Sequence, residues 1–66
     1  METLMTIANV AETIQMSEAA VRKFVLEKTI PHFKIGGAVR FLPSEIEGWI
    51  EERKRAIKAK ANGGRG

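Results

Sequence analysis

The 66-residue sequence has no cysteine, no aspartate and no tyrosine, with a single histidine, a single tryptophan and two prolines. Each shortage excludes something. Without cysteine there is no disulfide framework and no zinc–thiolate site to staple the fold, and the composition fits a reducing compartment. His32 alone cannot build a multi-histidine metal site. No apolar run approaches the roughly 20 residues that cross a bilayer. The N-terminus lacks the basic stretch and apolar core of a secretion signal. Nucleophilic catalysis by Ser17 or Ser44 would need a base, and His32 is the only histidine. Glu51 and Glu52 are adjacent and diverge on a helix. The length allows one domain, and a domain of this size buries only about 60% of the surface of its unfolded chain. The expectation is a soluble, cytoplasmic, non-membrane domain that is not an enzyme and holds neither metal nor cofactor.

Charge is present, and it is blocked. The net charge is +3 with a pI near 9.7, which suggests an anionic partner. Residues 1–21 carry −3 (Glu2, Glu12, Glu18). Residues 22–40 carry +4, from Arg22, Lys23, Lys28, Lys34 and Arg40 against Glu27. Residues 41–52 carry −4 (Glu45, Glu47, Glu51, Glu52), and residues 53–66 carry +6 (Arg53, Lys54, Arg55, Lys58, Lys60, Arg65).

The hydrophobic period changes twice. Ile7, Val10, Ala11 and Ile14 recur at helical spacing, with Thr6 as N-cap. Asn9 stands where Glu or Gln would complete a capping box, so the box is expected to be incomplete. A second helix follows, capped by Ser17, with Glu18 at the positive end of its dipole. Val21, Phe24, Val25 and Lys28 mark one face. It must stop near Lys28–Thr29, because Pro31 disfavours helical geometry at Ile30. Two short helices joined near Gln15–Met16 read as a helix-turn-helix.

After Pro31 the period becomes two, with Gly36-Gly37 between the strands, a hairpin signal. A two-residue loop would place Lys34 opposite Val39. A three-residue loop, 36–38, pairs Ile35 with Val39, Lys34 with Arg40 and Phe33 with Phe41, and keeps all four apolar residues on one face. A one-residue slip turns one strand's apolar set to water, so the three-residue loop is favoured. It sets Lys34 and Arg40 side by side. The last helix opens at Pro43-Ser44 with a capping box at Ser44-Glu45-Ile46-Glu47. Its apolar face is Ile46, Trp49, Ile50 and Ile57, and it is expected to reach about Ala61. The fold class expected is α+β, mostly helical: a small winged helix-turn-helix, with a β-hairpin wing and a C-terminal helix. The domain spans 1–61, and 62–66 is a flexible tail.

From Leu4 to Ile50, about 47 of 66 residues, the chain resembles the excisionase-type DNA-binding domain, a minimal relative of the MerR DNA-binding domain. The likeness lies in LMTIANVAETI (4–14), MSEAAVRKFV (16–25), IPHFKIGGAVRF (30–41) and SEIEGWI (44–50). The family usually has Gly where this chain has Gln15 and Lys28, and often Arg and Trp where it has Ala38 and Val39. Its members tend to be basic or hydrogen-bonding at Ala19 and Ala20. A residue other than glycine at 15 or 28 must accept left-handed geometry or avoid it.

The resemblance implies binding to repeated double-stranded DNA sites, bending of the DNA and steering of an integrase toward excision. Two alternatives stand beside it: a small prophage-type transcriptional regulator, and a protein-interaction module of the same fold. The expected recognition-helix contacts are Ser17, Glu18, Ala19, Ala20, Arg22 and Lys23. Arg22 suits a guanine edge and Lys23 a phosphate. The expected wing contacts are Lys34, Gly36, Gly37 and Arg40. Arg53, Lys54 and Lys58 would follow the backbone or meet a partner, and head-to-tail self-association on DNA is a further expectation. Leu26 lies off the apolar stripe. It would pack on the wing or third helix, or mark a protein contact.

Overall fold

A computed structural model describes the backbone of residues 2–65 and the side chains of residues 2–56. The elements run α1 (Ile7–Ile14), α2 (Glu18–Leu26), β1 (Phe33–Ile35), β2 (Ala38–Arg40) and α3 (Pro43–Arg65). Three helices and one antiparallel hairpin make the winged helix-turn-helix expected from the sequence.

The caps explain why the helices start and stop where they do. Thr6 Oγ1 accepts from the Asn9 N–H at 3.1 Å, and Asn9 Oδ1 accepts from the Thr6 N–H at 3.0 Å. The capping box expected to be incomplete is therefore closed. Asparagine's amide oxygen reaches back as a glutamine's would. Ser17 Oγ accepts from the Ala20 N–H at 3.1 Å and starts α2.

Both helices end in the same way. After α1, the Gln15 N–H reaches Glu12 O and the Met16 N–H reaches Ala11 O. After α2, the Lys28 N–H reaches Val25 O and the Thr29 N–H reaches Phe24 O. This paired pattern is the Schellman motif, which needs a left-handed residue. Gln15 and Lys28 each supply it at φ 58°. They accept the strain that glycine would avoid, roughly 1 kcal/mol or more each.

The start of α3 departs from expectation. The helix begins at Pro43, so Ser44 is inside its first turn and the Ser44–Glu47 box does not form. Proline fits this first position, since its fixed φ suits the helix and its missing N–H has no intrahelical use there. Glu2 supplies the cap instead: its carboxylate accepts from the Ser44 N–H at 2.7 Å and from Ser44 Oγ at 2.8 Å. A negative charge at this end also complements the helix dipole. The helix continues past the expected Ala61 to Arg65. Once a helix is nucleated, each added residue adds a hydrogen bond.

The hairpin corrects the expected register. Phe33 pairs with Arg40, Lys34 with Val39 and Ile35 with Ala38, so the loop is Gly36-Gly37 alone. Both glycines have positive φ, 55° and 89°. Two such residues make a type I′ turn, whose twist matches that of the strands. Nothing would crowd a Cβ at either position, so glycine is required by backbone conformation rather than by space. The favoured three-residue loop assumed that the core claims every apolar residue of the wing. It claims only one face: Val39 packs against the core, and Phe33 and Ile35 lie on the other face of the ribbon.

The core is small. Val10, Ala11, Val21, Ile30, Phe41 and Ile46 are buried, with Ile14, Phe24, Val25, Trp49 and Ile50 among those packed around them. Phe41 falls outside β2 and pairs with Met5 through two backbone hydrogen bonds of 2.8 and 2.9 Å. The chain's N-terminal segment thereby closes over the hairpin's base. Phe41→Ala is expected to cost about 3–5 kcal/mol. The whole domain, at ordinary stability per residue, has roughly 3–10 kcal/mol.

Candidate nucleic-acid interface

Helix α2 is held by one side and presents the other. Val21 is buried, and Phe24 and Val25 are half-buried against the core. Glu18, Ala19, Arg22, Lys23 and Leu26 are exposed. Ala19, Arg22, Lys23 and Leu26 are spaced i, i+3, i+4 and i+7, so they form one stripe along the outward face. Ala20 is half-buried at its edge. Leu26, 82% exposed, packs on neither the wing nor the third helix. It extends the outward stripe as an apolar member. Helical spacing from Ala19 and Arg22 was the signal that could have placed it there.

The two cations of this stripe carry their own counter-charges. Arg22 Nη2 lies 3.3 Å from Glu18 Oε1, and Lys23 Nζ lies 4.0 Å from Glu27 Oε2. Both pairs are i,i+4 on the helix surface and are worth only a few tenths of a kcal/mol. A guanine edge or phosphate can therefore displace the carboxylate at small cost. Glu18 is in this sense a place-holder for Arg22, besides complementing the dipole at the helix start.

The wing is arranged differently. The register puts Lys34 with Val39 on one face of the ribbon, and Arg40 with Phe33, Ile35 and Ala38 on the other. The expected side-by-side pair does not exist, because the two-residue turn shifts one strand by a residue. Among the described residues, no carboxylate lies within ion-pair distance of either cation. Arg40 Nη1 donates to the carbonyl of Val39 at 2.7 Å, which leaves most of its five donors free. Lys34 and Arg40 cannot clamp one phosphate together. They can reach two strands' backbones if the ribbon enters a groove between them. Gly36 and Gly37 form the tip and offer only backbone.

The C-terminal cations divide. The Arg53 guanidinium lies 4.7 Å from the Trp49 ring centre and 5.3 Å from that of Phe24. Trp49 and Phe24 are themselves tilted together at 5.5 Å, and Trp49 Nε1 donates to Thr29 O at 2.6 Å. Arg53 is thus part of the clasp that fixes α3 to the end of α2. This cation–π contact stabilises the fold by about 0.5–1 kcal/mol at an exposed site. Lys54 pairs with Glu51 at 3.6 Å. The side chain of Lys58 lies outside the described residues. His32 Nδ1 is within 2.8 Å of Ile30 O and serves the bend after Pro31. No helix among the described residues is long and apolar enough to cross a membrane.

Comparison with known proteins agrees with this geometry. No curated protein and no solved structure matches the chain. A family profile does, over residues 4–54, and the chain belongs to that family, the helix-turn-helix domain.

Proposed function

We propose that this helix-turn-helix protein reads double-stranded DNA in a sequence-specific way and acts as an architectural factor of the excisionase type, bending DNA to steer an integrase. The observation that carries the DNA-reading part is the outward stripe of α2, with Ala19, Arg22, Lys23 and Leu26 exposed on a helix anchored by Val21. Such a helix fits the major groove, where Arg22 bonds a guanine edge and Leu26 or Ala19 meets a thymine methyl. On the wing, Lys34 and Arg40, which pair with no carboxylate among the described residues, add phosphate contacts outside that groove. The recombination role is supported by the resemblance of residues 4–50 to excisionase-type domains. A single reading helix makes few contacts, so tight binding is expected to use several copies on repeated sites, alone or beside an integrase.

The test has two stages. Sites recovered from a random duplex pool should show one preferred motif. Binding to that motif should exceed binding to unrelated duplex by on the order of a thousandfold or more. Equal binding to all duplexes would remove the sequence-reading role. The recovered sites are then placed beside an attachment junction with an integrase present. Stimulated excision supports the recombination reading, whereas promoter repression without any effect on excision favours the regulator.

A further inference from the structure

The observed register leaves one large apolar side chain at the tip of the wing. Ile35 is 55% exposed and immediately precedes the turn. Its neighbours there are Gly36 and Gly37, and its cross-strand partner is Ala38. Three of the smallest residues thus surround one bulky one. The core does not use it: Val39, on the other face of the ribbon, packs against the core, and Ile35 does not.

We propose that Ile35 is an apolar wedge, which enters the minor groove of bound DNA and presses between adjacent base pairs to bend the duplex. This inference rests on the DNA-binding reading above. The minor groove is narrow, about 6 Å across, and a tip of Gly36, Gly37 and Ala38 is as slim as a hairpin can be. Lys34 and Arg40 stand on opposite faces behind that tip. A ribbon laid with the Ile35 face toward the bases brings Arg40, on that same face, into the groove and leaves Lys34 on the outer face, long enough to reach back to a phosphate at the rim. Arg40 shares the face of Ile35, and its Nη1 donates to Val39 O, which directs the guanidinium along the ribbon. Electrostatic attraction brings the tip in, and burial of the Ile35 side chain among bases removes its exposed apolar surface from water. Apolar side chains pressed into base steps unstack them and kink the duplex toward the major groove. Pyrimidine–purine steps, which unstack most easily, are the expected place of entry.

The experiment uses the full chain and a duplex of about 30 base pairs carrying the motif recovered from the random pool. Energy transfer between dyes at the duplex ends reports the bend, and 2-aminopurine at each step under the wing reports unstacking. The wild type should bend the duplex and brighten one 2-aminopurine position. Ile35→Ala and Ile35→Thr should bind within about tenfold of wild type, since phosphate contacts dominate affinity, but lose most of the bend and the fluorescence rise. Ile35→Leu should restore both. Circular dichroism checks that each variant folds, and threonine keeps strand propensity. A full bend with Ile35→Ala or Ile35→Thr overturns the wedge, as does a wild type that binds without bending. If Ile35→Ala instead changes the sedimentation of the free protein, the residue belongs to a protein contact and the wedge is wrong. Failure of the wild type to bind any duplex removes the DNA-binding reading itself, a result distinct from these.

Discussion

Helix α2 and the wing both carry two cations toward the outside, yet they hold them in opposite ways. Arg22 and Lys23 are each paired with a glutamate one helical turn away. Lys34 and Arg40 have no carboxylate within reach among the described residues and occupy opposite faces of a thin ribbon. On the helix, charge is largely offset by the glutamates until a partner displaces them, at a cost of a few tenths of a kcal/mol for each pair. On the wing, Lys34 is exposed and Arg40 is half-buried with one donor on Val39 O. Under the proposed DNA-reading function, the difference would separate two tasks, discrimination by the helix and attraction by the wing.

The strongest test of this contrast is Arg22→Ala. It should reduce discrimination at one base position by about ten- to a hundredfold, read by competition with single-base variants of the site, while leaving non-specific binding nearly intact. Next, Lys34→Ala and Arg40→Ala should each lower the slope of log K against log salt by about one without changing sequence preference. The double variant should lower it by about two, since the two side chains act on separate phosphates. If Lys34→Ala leaves the slope unchanged, Lys34 makes no phosphate contact and the wing does not attract the backbone through it.

A smaller effect is expected from Glu18→Gln. Releasing Arg22 should tighten binding a few-fold at low salt, and the gain should fade as salt rises, because exposed pairs are screened. The helix itself should lose only a few tenths of a kcal/mol. The smallest effect on DNA comes from Gln15→Gly or Lys28→Gly. Each should stabilise the fold by up to about 1 kcal/mol by relieving left-handed strain, seen as a raised Tm with unchanged affinity. A loss of DNA binding in Lys28→Gly would show that the end of α2 takes part in reading.

Much of this was legible along the chain. Thr6 and Ser17 were readable as caps and Pro31 as a helix limit, since each acts within a few residues of itself. The stripe of Arg22 and Lys23 followed from helical spacing. Leu26 was visible as an exception to the apolar face, but its place on the reading stripe needed its exposure to be known. The wing register departs from the sequence expectation because the turn chemistry of Gly36-Gly37 outweighs keeping Phe33, Ile35, Val39 and Phe41 on one face. In a domain this small the core covers one face of a hairpin, and the positive φ of both glycines decided the loop.

The order of elements, the helix caps at Thr6 and Ser17, the presence of a hairpin around Gly36-Gly37 and the charge blocks are legible from the residues alone, because short-range hydrogen bonding and periodicity depend on neighbours in the chain. Long-range packing settles the rest: Glu2 caps α3 at Ser44, Met5 pairs with Phe41, and Arg53 closes over Trp49 and Phe24. These contacts join segments far apart in the chain. They form only when the core around Phe41 and Ile46 has already brought those segments together. The core also divides the cations: it sets Arg53 over Trp49 and Phe24 and leaves Lys34 and Arg40 on the wing without a carboxylate partner among the described residues.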